Sequence, residues 1–333
     1  MGPSPQPILF YPSLLELRHP PIHFVQVKSP IAIKVRGLLE IFNIVFVKFS
    51  DSCTTNIFIH DKYATFVPTR RVEYLSLTSK INIAEQIISE AYTRFSKFAI
   101  VFSGGKDSTV MLDLVKKYAV KNNLPMPPAL FIDHGMHFSE TWDFLNLATK
   151  FWKINIIIAK NKDALSNVSN DNIPVEKLND DNKNELRLLN YSNDIIPYSL
   201  HTEVANHLLK TVAMNKAIEE NRFDALFVGV RWDENDARSS EVFMSPREKP
   251  FHYRLHPILT FTERDIWDYI IQNNLPRHPL YEKGYRSIDG KEDSVPLSKT
   301  PAWQQDLSST SERAGRSQDK EGMMERLRKL GYM

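Results

Sequence analysis

The chain has 333 residues, which at about 150 residues per domain fits one sizeable core with an appendage. Lys plus Arg number 42 against 40 Asp plus Glu, for a formal charge of +2, so nothing in the overall charge demands a polyanion and nucleic acid is disfavoured as a partner. The composition is 42% hydrophobic and 25% charged, that of an ordinary soluble globular protein, and no apolar run approaches the roughly 18 residues of a membrane-spanning helix.

Residues 1–75 carry Pro-rich patches and two strand-like runs, Asn43–Phe49 and Asn56–His60, and read as a small β-containing module without an evident role. The opening lacks the order of a signal peptide, and Gln6 stands where a myristoylated Gly2 requires Ser or Thr. The single cysteine, Cys53, allows no internal disulfide and no cysteine-based zinc or iron–sulfur site, which fits a reducing, cytoplasmic setting. From residue 76 the rhythm changes. Ala84, Ile87, Ile88, Ala91 and Phe95 fall on one helical stripe and are followed by the apolar run Phe98–Phe102. A helix beginning near Thr109, with Val110, Leu114 and Val115 on one side, leads to further runs at Ala129–Asp133 and Ile154–Ala159. Residues 160–199 are dense in Asn, Asp and Lys and read as a polar insert that supplies little core, a mobile excursion or lid. A fourth run, Ala225–Val230, precedes a helix marked by the capping pair Thr262 and Asp265, with Ile266, Trp267, Ile270 and Ile271 on its apolar face. Residues 291–333 form a C-terminal tail expected to fold near the site. This alternation predicts an α/β fold, with a mostly parallel, doubly wound sheet across residues 76–290.

The sharpest signal lies between the Phe98 run and the next helix: Ser103-Gly104-Gly105-Lys106-Asp107-Ser108. Two glycines let the backbone turn tightly and approach a ligand, the helix start presents N–H groups, and Lys106, Ser103 and Ser108 add donors. Together they make an anion cradle whose natural guest is a phosphate. It is not a Walker A loop, because Ile100 stands where that pattern needs its first glycine, and it is not GxGxxG. A coincidental turn is disfavoured: glycine is scarce, 11 in the chain, and a Lys and an Asp in a buried turn are costly without a partner.

SGGKDS resembles the pyrophosphate loop of the N-type ATP pyrophosphatases. Four further segments, Phe131–Thr141, Gly229–Arg238, His256–Ile270 and Ser311–Met333, together resemble the phosphoadenylyl-sulfate (PAPS) reductase family. Within it the closing SER-x-GR-x-x-D segment is similar to the small-subunit branch of ATP sulfurylase. That resemblance implies ATP and Mg2+, adenylyl transfer to sulfate in sulfate assimilation, and a GTPase large subunit as partner, since a Walker A loop is missing here. A soluble, oligomeric enzyme acting on small molecules is expected. Gly104, Gly105 and Lys106 would hold the departing pyrophosphate, with Ser103 and Ser108 as hydroxyl donors, and Asp107 would orient the loop or help place Mg2+. Asp133 and His134 would lie beside the adenosine. Arg231 and Arg238 follow a strand's C-terminal end and would bind phosphate or sulfate, while Asp233 and Glu234 would contribute to the metal. Arg313 and Arg316 would close over the nucleotide, against the alternative of a basic surface helix.

Other readings stay open. A sulfonucleotide reductase shares the fold, but the thiol route needs a nucleophilic cysteine and Ser311–Met333 contains none. Asp289 and Gly290 also stand where many reductase-like relatives place a cysteine. FMN adenylylation, a nucleotide sensor and an RNA-modifying relative remain, because an oxyanion pocket reads alike for sulfate, a phosphate ester or a flavin phosphate. A zinc pair at His134 and His137 lacks a third ligand. Trp152 and Trp267 read as core, and Trp303 as a candidate for stacking on a base.

Overall fold

The computed structural model describes residues 75–234, 238, 241–310 and 312, together with the backbone of two strands in the N-terminal region. The chain divides into two compact units, Met1–Thr65 and Phe66–Met333. In the first, β1 (Phe46–Phe49) and β2 (Thr55–Phe58) pair antiparallel, Phe46 opposite Phe58.

The second unit opens with α1 (Leu77–Arg94), capped by the Ser76 hydroxyl on the Ser79 N–H, and it buries Ala84, Ile87, Ile88 and Ala91 as the stripe predicts. Then follow β3 (Phe98–Val101), α2 (Lys106–Lys121), β4 (Ala129–Ile132), α3 (Ser139–Trp152) and β5 (Ile156–Ala159). The insert contains α4 (Lys162–Ser166), β6 (Asn172–Pro174), α5 (Asp180–Leu188) and β7 (Ile195–Pro197). After it come α6 (Glu203–Asn206), a π-helical stretch His207–Val212, α7 (Ala213–Asn221), β8 (Ala225–Phe227), β9 (Met244–Glu248), β10 (Phe251–Leu255) and α8 (Glu263–Gln272). The main sheet has the order β5-β4-β3-β8-β10-β9, parallel except for β9 at one edge. Ala99, Ile100, Ala129, Leu130, Phe131, Leu226 and Phe227 are buried, the apolar content of strands covered on both faces.

The chain order reverses between β3 and β8. From β3 it runs outward through β4 and β5, and it returns to β8 on the other side. The crevice beyond the carboxyl ends of two such strands is where open α/β sheets hold their ligands.

Three expectations need correction. The helix after the loop starts at Lys106, not near Thr109: Gly105 adopts an extended N-cap conformation, and the Lys106 N–H is satisfied outside the helix by the Tyr281 hydroxyl at 2.7 Å. The run Ala225–Val230 stays a strand only to Phe227, because the Val230 N–H donates to Val228 O at 2.9 Å, a tight turn that redirects the chain. The polar insert supplies a core of its own. Ile173, Leu178, Leu186 and Ile196 are buried there with Ala164, Leu200, Leu208 and Leu209. Its asparagines are structural: Asn161 and Asn179 cap α4 and α5, and Asn161 donates to Asn182 Oδ1 at 2.7 Å inside the unit. Trp152 and Trp267 are buried, as expected of core, and the Trp267 ring meets Trp303 at 5.7 Å and Tyr281 at 5.0 Å.

Candidate functional site

The loop after β3 turns on Gly104, whose φ of +77° lies in the left-handed region that an L side chain resists. Gly105, at the N-cap of α2, has no side chain to cap the helix. A 16-residue helix thus points the positive end of its dipole into the crevice. The Ser103 and Ser108 hydroxyls face each other at 3.3 Å. Ser103 Oγ accepts from the Gly105 N–H, and Ser108 Oγ–H donates to Gly105 O at 2.9 Å. Gly229, just past β8, lets the second crossover approach. A Cβ there would sit 3.2 Å from the backbone of Asp107 and Ser108, so the two loops at the switch point are in backbone contact and the chain reaches Arg231 two residues later.

Lys106 and Arg231 meet at this junction, both almost wholly buried. Arg231 pairs with Asp107, with Asp233 at 2.8 Å and with Glu312 at 2.5 Å. Lys106 pairs with the same Glu312 carboxylate, and its Nζ lies 3.4 Å from Asp107 and 3.9 Å from Glu263. Beneath them the buried Arg286 donates to both oxygens of Glu263 at 2.7–3.1 Å, and its backbone carbonyl lies 3.4 Å from Lys106 Nζ. Burial alone would drive the Arg231 pKa down and the Glu312 pKa up. The mutual ion pairs win, with Glu312, Asp233, Glu234 and Glu263 holding Arg231 above its ordinary value, and Arg231 and Lys106 holding the Glu312 carboxyl well below the usual range. Arg231 and Glu312 therefore stay charged at neutral pH.

Lys106, Asp107, Arg231 and Asp233 thus converge. A second group forms at the end of the neighbouring strand β4. There Asp133 accepts from the Gly135 N–H at 3.0 Å, and the His134 and His137 rings meet at 3.7 Å, tilted by 34°. Asp289 joins this group, 3.7 Å from His134 Nε2 and 2.5 Å from Lys210 on the π-helical stretch. Burial pushes the His137 pKa down, against its hydrogen bond with the Ile132 carbonyl and the charges of Asp133 and Asp289. Arg238 is held by Glu241 at 3.2 Å and faces Glu234 at 3.9 Å, so those two sequence candidates pair with each other. Arg313 and Arg316 lie outside the described residues, as do Met323, Met324 and Leu327, which would pack inward if that segment formed the basic surface helix. Among the described residues no three His, Cys, Asp or Glu side chains converge as a metal group. The candidate metal ligands Asp107 and Asp233 converge across Arg231 and offer the hard oxygens that Mg2+ prefers. Mg2+ commonly takes only one or two protein carboxylates beside substrate phosphates, and on that donor chemistry the residues fit it.

No local sequence signal marks Glu263, Tyr281, Arg286 or Glu312 as part of this cluster. Glu263 follows Thr262, so its place in the first turn of α8 reads as an ordinary helix start. The capping box of Thr262 and Asp265 is indeed formed, yet Glu263 itself turns inward to Arg286. Glu312 stands inside the quoted SER segment, where the neighbouring arginines drew the functional reading.

A family model, the phosphoadenosine phosphosulfate reductase domain, matches residues 97–296. The chain is similar to sulfate adenylyltransferase subunit 2 of Brucella anthropi, 29% identical over 228 residues, spanning 62% of this chain and 66% of that relative. It is also similar to phosphoadenosine 5'-phosphosulfate reductase of Xylella fastidiosa, 29% identical over 199 residues, 60% of this chain and 73% of that one. The chain thus spans just under two thirds of the length of the subunit 2 relative. In fold it matches the crystal structure of Candida glabrata FMN adenylyltransferase in complex with ATP, TM-score 0.52 at 15% identity, over 75% of this chain and 93% of that one.

Proposed function

Since the chain belongs to the phosphoadenosine phosphosulfate reductase domain family, we propose that it binds ATP at the loop Ser103–Ser108 and transfers the adenylyl group to sulfate. The observation that carries the reading is the buried meeting of Lys106 and Arg231 at the strand-order reversal, where the dipole of α2 adds to their charge. The relatives named sulfate adenylyltransferase subunit 2 favour this acceptor.

The reaction needs no covalent enzyme intermediate. A sulfate oxygen attacks the α-phosphorus in line, the new sulfate–phosphorus link forms, and the bond to the bridging oxygen of pyrophosphate breaks. That oxygen gains the electron pair, so atoms and charge balance as adenylyl sulfate plus pyrophosphate. The protein must hold the reactants in line and stabilise charge on the leaving group. Lys106, Arg231 and the N–H groups at the start of α2 meet the leaving pyrophosphate. The Ser103 and Ser108 hydroxyls steady the turn. Asp107, aligned by Arg231, and Asp233 would hold Mg2+ with the phosphates, where the ion would neutralise part of the triphosphate charge. Asp133 and His134, at the adjacent strand end, suit the nucleoside. A GTPase large subunit is the proposed partner, in line with the "subunit 2" in the names of the relatives.

The reductase alternative draws on the relative from Xylella fastidiosa. Its thiol chemistry needs a nucleophilic cysteine, and residues 97–296 contain none, the one cysteine being Cys53. The deciding assay is pyrophosphate release from ATP and Mg2+ with and without sulfate, alone and with a GTPase large subunit. Sulfate-dependent release that falls by at least about a hundredfold in Lys106→Ala is expected for loss of a charge that stabilises the transition state. Thiol-dependent sulfite release from a sulfonucleotide, with no sulfate-dependent pyrophosphate, would sink the assignment.

A further inference from the structure

The strongest ligand for the two cations of the cradle is a carboxylate of the chain itself. Glu312 binds Lys106 with one oxygen and Arg231 Nη2 with the other, the bridging pattern of a phosphate that spans two donors. Its delivery is local. The Asp306 carboxylate accepts from the Ser308 and Ser309 N–H groups at 2.9 and 3.1 Å, and its backbone carbonyl accepts from the Thr310 hydroxyl. Arg286 then grips this turn through Asp306 O at 3.1 Å and Thr310 Oγ1 at 2.5 Å. Ser308, Ser309 and Thr310 are exposed, whereas Glu312 is buried. Asp306–Thr310 is therefore a thin strap held by polar contacts, and beside it Glu312 places one anionic side chain in the cradle.

Charge decides what this means for a ligand. Among the described residues the ion pairs join Lys106, Arg231 and Arg286 to Asp107, Asp233, Glu263 and Glu312, four carboxylates against three cations, so this described cluster is net negative. A polyphosphate brought beside Glu312 would meet a like charge in a buried setting, where screening is weak. With Glu312 withdrawn the remaining side chains balance, and the dipole of α2 tips the cradle towards anions.

We propose that Glu312 is a built-in competitor for the phosphate position: its carboxylate closes the cradle between Lys106 and Arg231, and it must leave, with release of the neighbouring Asp306–Thr310 strap, before the terminal phosphates of a nucleotide bind there. This rests on the adenylyl-transfer reading of the same loop. Entry of the ligand is thereby coupled to opening of the strap, and measured affinity is reduced by the fraction of time the strap is closed.

The test is calorimetric titration of the full chain with inorganic pyrophosphate and with a non-hydrolysable ATP analogue, alongside melting curves. Glu312→Gln keeps the shape and removes the charge. It is expected to melt below the wild type without added anion, to gain more from pyrophosphate than the wild type does, and to bind both ligands about tenfold tighter, as for a strap closed nine-tenths of the time. Equal or weaker binding in the variant, with the wild type still binding the ATP analogue, overturns the competitor role and leaves the nucleotide reading intact, since Glu312 would then only align Lys106 and Arg231. If neither ligand binds either protein, the nucleotide reading and the competitor role are overturned together. Should Glu312→Gln not fold, Thr310→Ala removes the strap's hydrogen bond to Arg286 while leaving Lys106, Arg231 and Glu312 unaltered. Tighter pyrophosphate binding by that variant supports the proposal, and unchanged or weaker binding overturns it.

Discussion

The interface of α2, α3 and α8 and the cradle at the strand-order reversal each bury a carboxylate, Asp113 in one and Glu312 in the other, and satisfy it by different chemistry. Asp113 accepts from Trp152 Nε1–H at 2.9 Å and from the Tyr269 hydroxyl at 2.8 Å, one neutral donor from each neighbouring helix, with the half-exposed Lys117 at 2.8 Å on its outer side. Burial, with the charge of Asp113, pushes the Tyr269 pKa well above its ordinary value, so its hydroxyl remains a donor. Glu312 instead accepts from two buried cations. Neutral donors fixed in packed rings have nothing to offer a rival anion except a clash, whereas paired cations at the end of a polar strap can exchange one anion for another. A buried ionised group marks a ligand site when its partners are cations that a ligand also wants, and marks packing when they are neutral groups that only the fold can bring together.

The largest effect expected from breaking this contrast is at Arg231. Arg231→Ala takes a cationic partner from Asp107, Asp233 and Glu312 at once, and removing one partner of a buried ion cluster costs about 3–5 kcal/mol. Chemical denaturation should register that loss, and calorimetry should find no pyrophosphate binding. Unchanged stability would mean that the cluster is solvated and is no phosphate site. Next is Asp113→Ala, which leaves the Trp152 N–H and the Tyr269 hydroxyl without their acceptor, for a loss of about 2–4 kcal/mol from two buried donors. The prediction that sharpens the comparison is what stays constant: pyrophosphate affinity, measured below the variant's melting temperature, should match the wild type within about twofold. A large fall in affinity would tie the helix interface to the site and erase the distinction.

How much of this was legible in sequence follows from how local the physics is. The SGGKDS loop was readable because a strand, two glycines and a helix start lie within a dozen residues and share one explanation. The strand runs were readable because burial on both faces leaves a continuous apolar signature. Glu263, Arg286 and Glu312 were not, because their meaning comes from pairing across long sequence separations: Glu312 reaches back to Lys106 and Arg231, and Glu263 forward to Arg286. Residues 160–199 misled for a related reason. Their asparagines cap helices and bond to one another inside the unit, so composition counted as solvent-facing what the fold had buried. Arg238 was read by its neighbours in the GVRWDENDAR segment, but Glu234 and Glu241 are the carboxylates that hold it.

The smallest expected effect comes from a third kind of buried titratable group, neutral histidines. His252 and His256 lie on and just after β10, fully buried, with Nδ1 2.7 Å from the carbonyls of Pro250 and Val242 respectively. Burial, reinforced by Arg247 and Arg254, pushes both pKa values down to about 4, against the opposing pull of those carbonyls and, at His256, of Glu241. A folded-state value below the unfolded one means that the unfolded chain binds more protons between pH 6.5 and 4. The stability these neutral rings contribute is therefore complete above pH 6.5 and is lost as pH falls towards 4. A step from pH 6.5 to 5.5 should cost about 1 kcal/mol for each histidine. Glu312 contributes nothing to that step, because Arg231 beside it stays charged and its own carboxyl titrates well below the usual range. Denaturation curves at the two pH values should therefore give the same difference for wild type and Glu312→Gln, and a difference smaller by about 1 kcal/mol for His256→Gln. A pH step abolished by Glu312→Gln would instead place the proton uptake in the cradle and make the strap itself acid-sensitive.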